Sequence, residues 1–395
     1  MKIEILNNTP FLKWDGTFNK MEALLLSGKI AGICYDKEGF EHLKNEPITK
    51  TERRIDLTLN NGHHSVYDHI MISFNMQEIP KILAMVINNE HQYTTSEKSA
   101  RYTPVIRKEN SDITELEETL YQKWLPIFES EIKKQYDFMK DPKIHKLAQE
   151  NARYLISVFT PTHMIYTTSL RQINYLASFM ISYINDADYQ NPFEKKLALS
   201  MIPFVNELER LKVLDEGLLK NEKERKLSLF GKNLDQKDIY YGDIYATRYQ
   251  ASLAEYAQAQ RHRTLDYQLE FLKEKKFYIP PIIENKQEIV DNWIKDMNQV
   301  KEFTPQGELV TVYETGKYED FLLKCKERLC SAPQLEIMRQ TRDTLLEYKK
   351  ALEEKNHLLK EDIEKYSHGA RCTFPDFTCT SDCEFKEGKT LTRKI

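Results

Sequence analysis

Apolar residues recur at helical spacing over much of the chain. One such run follows the segment SDIT, where Thr114 and Glu117 also have the spacing of a capping box at a helix start. The residues of this run are Leu116, Leu120, Trp124, Ile127 and Phe128. Segments 195–226 and 333–365 are also charged and amphipathic, with few helix-breaking residues. The pattern predicts a chain that is rich in helices.

Shorter stretches have the composition of β-strands. They span residues 1–6, 69–76, 243–249 and 308–314. Strand-like and helix-like segments occur in two sets, which predicts an α+β fold built from two related halves. The polar run at 220–238 is the expected linker between a first repeat, 1–219, and a second repeat, 239–366. A short tail, 367–395, follows the second repeat.

Composition and charge narrow the class of protein. The chain has 395 residues, of which 41% are hydrophobic and 30% are charged, so it has enough apolar material for a sizeable core. The 57 basic residues and 61 acidic residues give a net charge of −4, which argues against a binder of duplex nucleic acid. A local group of arginines could still hold one nucleotide phosphate.

Neither a leader nor a membrane span is expected. The N-terminal segment carries charges and lacks an apolar stretch followed by a cleavage site. The least charged region, YLISVFTPTHMIYTTSL, is interrupted by Pro161 and His163 and is expected to be buried in protein. Six cysteines in so long a chain do not make a disulfide scaffold, which favours a cytoplasmic location.

Two motifs in the first half carry a family resemblance. GHHSVYDH spans residues 62–69, and SEKSARY spans residues 96–102. At this separation the pair resembles the flavin-dependent thymidylate synthases, whose pattern runs roughly GHxSxxEH, then RHR, then a loop ending SxRY. Asp68 stands where the family usually has glutamate. The resemblance implies two fused, helix-rich α/β repeats of this family, each with a small mixed or antiparallel sheet.

The first half departs from the family at its arginine–histidine–arginine triplet. At that position the chain has Asn89, Glu90 and His91, which replace two cations by an amide and an acid. A flavin carries a pyrophosphate, so the change removes attraction and adds repulsion. The missing triplet occurs in the second half as RHR, residues 261–263, again at the end of a helix-like segment after a strand-like one. The two halves are therefore expected to be complementary.

The resemblance assigns roles to individual residues. Flavin contacts are expected from Arg261, His262, Arg263, Ser65, Asp68 and Arg171. Nucleotide contacts are expected from Glu97, Ser99, Arg101, Arg153, Gln258 and Arg328. Arg328 belongs to ERLCSAPQLEI, which is similar to the family's late R…AQxEI segment, whereas the matching position in the first half is about Met180. No residue stands out as a protein nucleophile, which fits a family whose flavin carries the redox chemistry.

Each motif also has a structural interpretation. An isolated RHR triplet is usually a solvated basic patch. SEKSARY reads equally as a polar loop in which Arg101 pairs with Glu97, and GHHSVYDH as a turn whose histidines bind backbone atoms. The combination of the motifs, rather than any one of them, favours a functional site.

The resemblance implies a reaction and an assembly. The expected activity is FAD-dependent transfer of a one-carbon unit to C5 of a pyrimidine deoxynucleotide, dUMP above all. Methylenetetrahydrofolate would donate the carbon, and NADPH would regenerate reduced flavin. Family members are homotetramers, so a homodimer of this chain is expected to form a pseudo-tetramer. Two alternatives stay open: a relative that modifies a different pyrimidine nucleotide, and a catalytically inactive nucleotide-binding protein.

The C-terminal tail contains residues of the types that bind zinc. His368, Cys372, Cys379 and Cys383 form the pattern H-x3-C-x6-C-x3-C. Imidazole and thiolate are preferred zinc ligands, and four of them complete a tetrahedral structural site. The sequence therefore predicts a zinc-binding tail, with unmetallated thiols as the alternative. Cys325 and Cys330 are expected to be core or helix residues, and Cys34 is expected to be buried.

Overall fold

The computed structural model describes residues 1–99, 113–220, 229–379, 383, 385 and 389–395. Contacts between α-carbons divide the chain into two compact units. The first unit comprises Met1–Lys98 and Pro161–Leu227, and the second comprises Ser99–Thr160 and Ser228–Ile395. No helix in the described part of the chain is long and apolar enough to cross a membrane.

Seven strands and fourteen α-helices occur in the described residues. The strands are β1 (Lys2–Ile5), β2 (Met71–Pro80), β3 (Tyr93–Glu97), β4 (Pro161–Ser169), β5 (Ile244–Ser252), β6 (Asp266–Phe271) and β7 (Leu309–Lys317). The helices are α1 (Lys20–Ala31), α2 (Phe40–Lys44), α3 (Ile48–Asn60), α4 (Lys81–Asn89), α5 (Glu115–Gln135), α6 (Asp141–Ala152), α7 (Leu170–Asp186), α8 (Pro192–Arg210), α9 (Glu216–Leu219), α10 (Leu253–Ala259), α11 (Gln287–Gln299), α12 (Tyr318–Arg328), α13 (Leu335–Glu354) and α14 (Lys360–Glu364).

The first unit contains an antiparallel sheet in the order β1-β2-β4-β3. The last residue of β2, Pro80, lies opposite Pro161, the first residue of β4. Helix α4 begins directly after β2 and is buried along almost all its length, and α7 begins directly after β4. Direct strand-to-helix junctions of this kind fix the first helical turn relative to the sheet.

The second unit repeats this arrangement with an antiparallel sheet in the order β5-β7-β6. Ser252, the last residue of β5, lies opposite Leu309, the first residue of β7. Helix α10 follows β5 directly, and α12 follows β7 directly, as α4 and α7 follow β2 and β4. The α+β class is thus confirmed. The shared connectivity supports two related repeats, although their origin by duplication stays a prediction.

Helices α5 and α6 belong by their contacts to the second unit. The rings of Trp124 and Trp293 meet edge to face with centroids 4.8 Å apart, and Phe128 lies 5.4 Å from Trp293. Trp124 Nε1 donates to the Asp296 carboxylate at 2.8 Å. This grouping differs from the sequence-based first repeat, 1–219, because spacing reveals an apolar helix face but not which core it covers.

Local signals in the sequence have mixed outcomes. The capping box at the start of α5 is confirmed: Thr114 N donates to Glu117 Oε2 at 2.8 Å, and Glu117 N donates to Thr114 Oγ1 at 3.2 Å. Strands β3, β4 and β6 were not expected. Residues 229–231 of the expected linker instead lie beside β6, where Gly231 N donates to Leu269 O at 2.9 Å. Residues 221–228 of that segment lie outside the described residues.

Candidate functional site

Helix α10 positions the arginine–histidine–arginine triplet of the second unit. Ser252 caps the helix, since its Oγ accepts a hydrogen bond from the backbone of Glu255 at 3.0 Å. Every residue of α10 is buried. The triplet follows the end of the helix, where Arg261 and Arg263 are exposed and His262 between them is buried. The local structure therefore presents two guanidinium groups to solvent and directs the imidazole into the unit.

His262 accepts a hydrogen bond from Arg328, the last residue of α12. Arg328 Nε lies 2.6 Å from His262 Nε2, and Arg328 Nη2 lies 3.4 Å from the carbonyl oxygen of Gln258. Burial lowers the pKa of His262 to about 2, and the charges of Arg328 and Lys324 add to the effect. The imidazole is therefore neutral at physiological pH, and its Nδ1 lies 3.4 Å from the Glu327 carboxylate.

The buried side-chain amide of Gln334 connects two other residues that were predicted to bind the nucleotide, Arg153 and Gln258. Arg153 Nη2 donates to Gln334 Oε1 at 2.7 Å, and Gln258 Nε2 donates to the same oxygen. Gln334 Nε2 in turn donates to the Tyr154 hydroxyl, which donates to Glu336 at 3.0 Å. The second unit thus brings together Arg153, Gln258 and Arg328, which the sequence resemblance placed at the nucleotide.

Several residues of this region were not recognised as site residues from the sequence. Glu314 on β7 accepts from Tyr245 at 2.6 Å, from Tyr249 at 2.8 Å and from Lys324 at 2.6 Å. Glu314 and Lys324 are both fully buried. In the sequence, such residues are visible only as charged residues among apolar ones, as Glu255 is in LAEYA. This pattern alone cannot distinguish an acid that caps a helix from an acid that is buried in the core.

The first unit has different residues at the positions that correspond to this site. Asn89 is the ninth residue after β2, as Arg261 is the ninth after β5. Met180 and Arg328 are each the eleventh residue of their helices, α7 and α12. Glu90 is fully buried, and Met180 is fully buried as well. The strand-to-helix geometry therefore agrees with the sequence alignment of NEH with RHR and of Met180 with Arg328.

The GHHSVYDH turn holds its acid within the first unit. Asp68 accepts from Ser169 Oγ at 2.6 Å and from Arg171 Nη1 at 2.8 Å. Ser65 is exposed, and so are His63 and His69. The structure thus brings Asp68 and Arg171 together as an ion pair; their contact with a flavin stays a prediction.

The SEKSARY segment is described only in part. The Glu97 carboxylate pairs with Lys81 Nζ at 2.5 Å and accepts from Thr162 Oγ1 at 3.2 Å. Its side chain is 2% exposed, so this acid is engaged within the first unit. Ser99 is half-buried. Residues 100–102 of the motif, which include Arg101, lie outside the described residues.

The predicted zinc site in the tail is not supported. Among the described residues, no group of three or more His, Cys, Asp or Glu side chains is placed to hold a metal ion. His368 is 61% exposed, with the Glu364 carboxylate at 3.8 Å, while Cys372 and Cys379 are exposed and Cys383 is half-buried. The four residues are close in sequence, yet the fold does not converge their side chains.

Hydrogen bonds to α13 hold the end of the tail instead. Arg342 Nη1 donates to Leu391 O at 2.9 Å, and Arg339 Nη2 donates to Arg393 O at 3.1 Å. The buried Arg393 donates to Pro333 O at 3.0 Å. These contacts fasten the last residues of the chain to α13 and to the loop before it.

Comparison with known protein families finds a match in the first half of the chain. Residues 19–194 match the family model described as thymidylate synthase complementing protein. This match supports the resemblance of the first half of the chain to the flavin-dependent thymidylate synthases, which are enzymes. The matched segment ends before β5, so it does not include the segments that carry Arg261 and Arg328. No curated protein matches this chain in the corresponding sequence comparison.

Solved structures with similar regions include enzymes that act on pyrimidine nucleotides. A UMP/dUMP methylase, PolB from Streptomyces cacaoi bound with 5-Br dUMP, is 16% identical over 45% of this chain and 77% of its own, with a TM-score of 0.29. Thymidylate synthase X from Helicobacter pylori with FAD and dUMP is 15% identical over 56% of this chain and 99% of its own, with a TM-score of 0.32. A further ThyX structure from Helicobacter pylori, complexed with FAD and dUMP, is 16% identical over 54% of this chain and 100% of its own, with a TM-score of 0.31. TM-scores this low do not carry an activity to this chain.

Proposed function

We propose that the chain catalyses FAD-dependent transfer of a one-carbon unit to C5 of a pyrimidine deoxynucleotide, with dUMP as the acceptor. The observation that carries the proposal is the convergence of Arg153, Gln258, Arg328 and His262 in the second unit. These residues are distant in sequence and were each expected at the nucleotide or the flavin from the family resemblance. A chance surface patch would not bring them to one buried network.

The side chains of the second unit suit an anionic cofactor. Arg261 and Arg263 are exposed beside the partly buried Arg328, which gives three guanidinium groups near one helix end. Guanidinium groups bind phosphate oxygens through paired hydrogen bonds. The corresponding residues of the first unit, Asn89 and Glu90, are buried and offer no cation. The second unit is therefore the better candidate for the FAD pyrophosphate.

Each residue has a distinct task in this proposal. When bound, the flavin supplies the hydride. Arg328 fixes the neutral tautomer of His262 by donating to its Nε2, so the imidazole keeps a hydrogen only on Nδ1. Gln334 fixes the orientation of Arg153 and Gln258 by accepting from both side chains. Binding groups held by a second layer of hydrogen bonds can meet a ligand with little reorganisation.

The co-substrates and the assembly are carried over from the family resemblance. Methylenetetrahydrofolate is the expected carbon donor, and NADPH is the expected reductant of the flavin. A homodimer is the expected assembly, because two fused repeats per chain would give four repeats. Light scattering at micromolar concentration tests the assembly, and a stable monomer would contradict it.

A direct assay tests the reaction. Purified full-length protein is expected to be yellow, to bind dUMP, and to release tritium from dUMP labelled at C5 when FAD, NADPH and methylenetetrahydrofolate are present. Replacement of C5–H by a carbon substituent must release that hydrogen, so the readout reports the proposed bond change. A parallel panel of UMP and dCMP tests the alternative acceptors. Tight dUMP binding without tritium release would favour an inactive nucleotide-binding protein and overturn the proposal.

A further inference from the structure

Glu255 is a fully buried acid on helix α10, one turn before Gln258. Its side chain is 0% exposed, and neither carboxyl oxygen has a hydrogen-bond partner among the residues that the structure describes. A buried polar group without a hydrogen bond is costly, so such groups are rare and call for a specific reason. The proposed function described above does not yet use this acid.

A capping role does not account for Glu255. Ser252 and Glu255 have the spacing of a capping box, in which the acid would accept a hydrogen bond from the backbone of Ser252. Here Ser252 N donates to Glu336 Oε1 at 2.7 Å instead. The box at the start of α5 shows the complete arrangement, since Thr114 N donates to Glu117. The Glu255 carboxyl is therefore left unused at the helix start.

The first unit shows that the fold does not require charge at this position. Leu83 is the third residue after β2, as Glu255 is the third after β5. Leu176 is the seventh residue of α7, where Lys324 is the seventh of α12. Both leucines are fully buried. Since apolar residues fill these places without the desolvation cost of charged groups, the charged residues of the second unit need a reason other than packing.

Lys324, the positive charge that acts most strongly on Glu255, is already paired with another acid. Lys324 Nζ donates to Glu314 at 2.6 Å and to Gln340 at 2.9 Å, so one carboxylate already matches its charge. The titratable groups that interact with Glu255 are Lys324 and Arg328 of α12, Glu314 of β7, Glu336 of α13, Tyr249 of β5 and Tyr267 of β6. Burial raises the pKa of Glu255 to about 8, against the opposing charge of Lys324. The acid therefore keeps its proton at neutral pH.

We propose that Glu255 is a positioning residue of the nucleotide and flavin site, an uncharged carboxylic acid that must keep its proton for the anionic ligand to bind. The inference rests on the proposed function. An ionised carboxylate beside Gln258 and Arg328 would repel the ligand phosphate and draw Arg328 towards itself, in surroundings that screen charge poorly. The only covalent change is loss of the carboxyl proton to solvent.

Two pH series test this role with Glu255→Gln and Glu255→Leu, the latter copying Leu83. In the first series, urea unfolding without ligand is measured as a function of pH. Its pH dependence shows whether Glu255 is protonated in the folded protein. The native state holds one more proton than the unfolded state between about pH 4.5 and pH 8. The unfolding equilibrium constant of the wild type should therefore rise with pH in this window, by up to about tenfold per unit more than in either variant.

In the second series, calorimetry measures the Kd of dUMP with FAD present at pH 7 and pH 9. Loss of the proton should raise the wild-type Kd about tenfold more than the Kd of Glu255→Gln over this range. Glu308→Gln, a change at a buried acid paired with Lys275, is the matched control and should keep the wild-type pH response of dUMP binding. Glu255→Leu, which also lacks a titrating proton, should show the same weak pH response as Glu255→Gln. Agreement between the two variants shows that the response does not depend on the amide of glutamine.

The outcomes separate the two proposals. One outcome would overturn the role of Glu255 in the ligand site. In that outcome the unfolding series shows the extra proton, but the Kd of dUMP responds to pH identically in wild type and Glu255→Gln. Failure of every protein to bind dUMP and FAD would overturn the proposed function, while the unfolding series would still report the buried acid. Identical unfolding series in wild type and both variants would show that Glu255 is ionised, which also overturns the inference.

Discussion

Arg328 Nε donates to His262 Nε2 across 2.6 Å, which joins the end of α12 to the triplet after α10. The two residues are 66 positions apart in sequence. The hydrogen bond explains why the histidine and the late arginine occur together in the second unit, whereas Glu90 and Met180 occupy both places in the first. Loss of one partner would leave the other buried polar group unsatisfied.

Protonation of His262 should destabilise the fold. Its pKa is lowered to about 2 in the folded chain, so between pH 2 and pH 6.5 only the unfolded state binds the proton. The free energy of unfolding is therefore highest above pH 6.5, and it decreases as the pH falls below that value. We expect the wild type to lose about 2 kcal/mol more than His262→Gln between pH 7 and pH 5. Urea unfolding measures this, with the exposed His368→Gln as background; equal losses in wild type and His262→Gln would refute the neutral imidazole.

Replacement of Arg328 by methionine tests the nucleotide contact directly. Arg328→Met copies Met180 of the first unit and removes the hydrogen bonds to His262 and to Gln258 O. Loss of a charge-assisted contact of about 1.5–3 kcal/mol should raise the Kd of dUMP at least about tenfold. Arg342→Met, which removes an arginine paired with Asp343 on α13, is the control and should keep the wild-type affinity. An unchanged Kd in Arg328→Met would remove this residue from the site.

Trp124 should contribute strongly to the stability of the second unit. It is fully buried between Phe128 and Trp293, and its indole nitrogen binds Asp296. Trp124→Ala should lower the free energy of unfolding by about 3–5 kcal/mol through cavity formation and lost hydrogen bonding. Trp14→Ala, at a tryptophan that is 99% exposed, should have almost no effect. Similar losses in the two variants would contradict the packing of α5 against α11.

The tail should be insensitive to chelators. Because the described His368 and cysteines do not converge on a metal position, Cys372→Ser should change the free energy of unfolding by less than about 0.5 kcal/mol. Arg393→Ala should have a larger effect, since its buried guanidinium binds the carbonyl of Pro333. Thermal unfolding with and without EDTA measures both. A lower Tm with EDTA in wild type but not in Cys372→Ser would restore the zinc hypothesis.

The sequence predicted local structure better than the grouping of elements. The capping box of Thr114 and the apolar face of α5 were recognised because both signals lie within a few residues of one another. The packing of Trp124 on Trp293 was not, since it joins residues 169 positions apart. Strand β4 was also missed, because Pro161 and His163 interrupt its apolar pattern, although Pro161 stands at the first position of the strand.

The sequence predicted the residues of the candidate site that lie in recognisable motifs, and it missed those that lie outside them. RHR and the ERLCSAPQLEI segment pointed to His262 and Arg328, and the structure joins them by a hydrogen bond. Glu255 was missed because its spacing from Ser252 reads as an ordinary capping box. Only the fold shows that Glu336 takes that place. The zinc prediction is not supported by the fold, since suitable residue types in one segment need not converge.

The central claim is that the second unit, rather than the first, holds the flavin. The most direct measurement is the FAD affinity of Arg261→Ala and Glu90→Arg beside the wild type, by fluorescence titration of flavin-free protein. Loss of the exposed Arg261 guanidinium should raise the Kd of FAD about tenfold or more, through a lost contact of about 1.5–3 kcal/mol. Glu90→Arg, at the corresponding triplet of the first unit, should leave the Kd of FAD unchanged in whatever fraction folds. Full FAD affinity in Arg261→Ala together with altered affinity in Glu90→Arg would place the cofactor in the first unit and contradict the account.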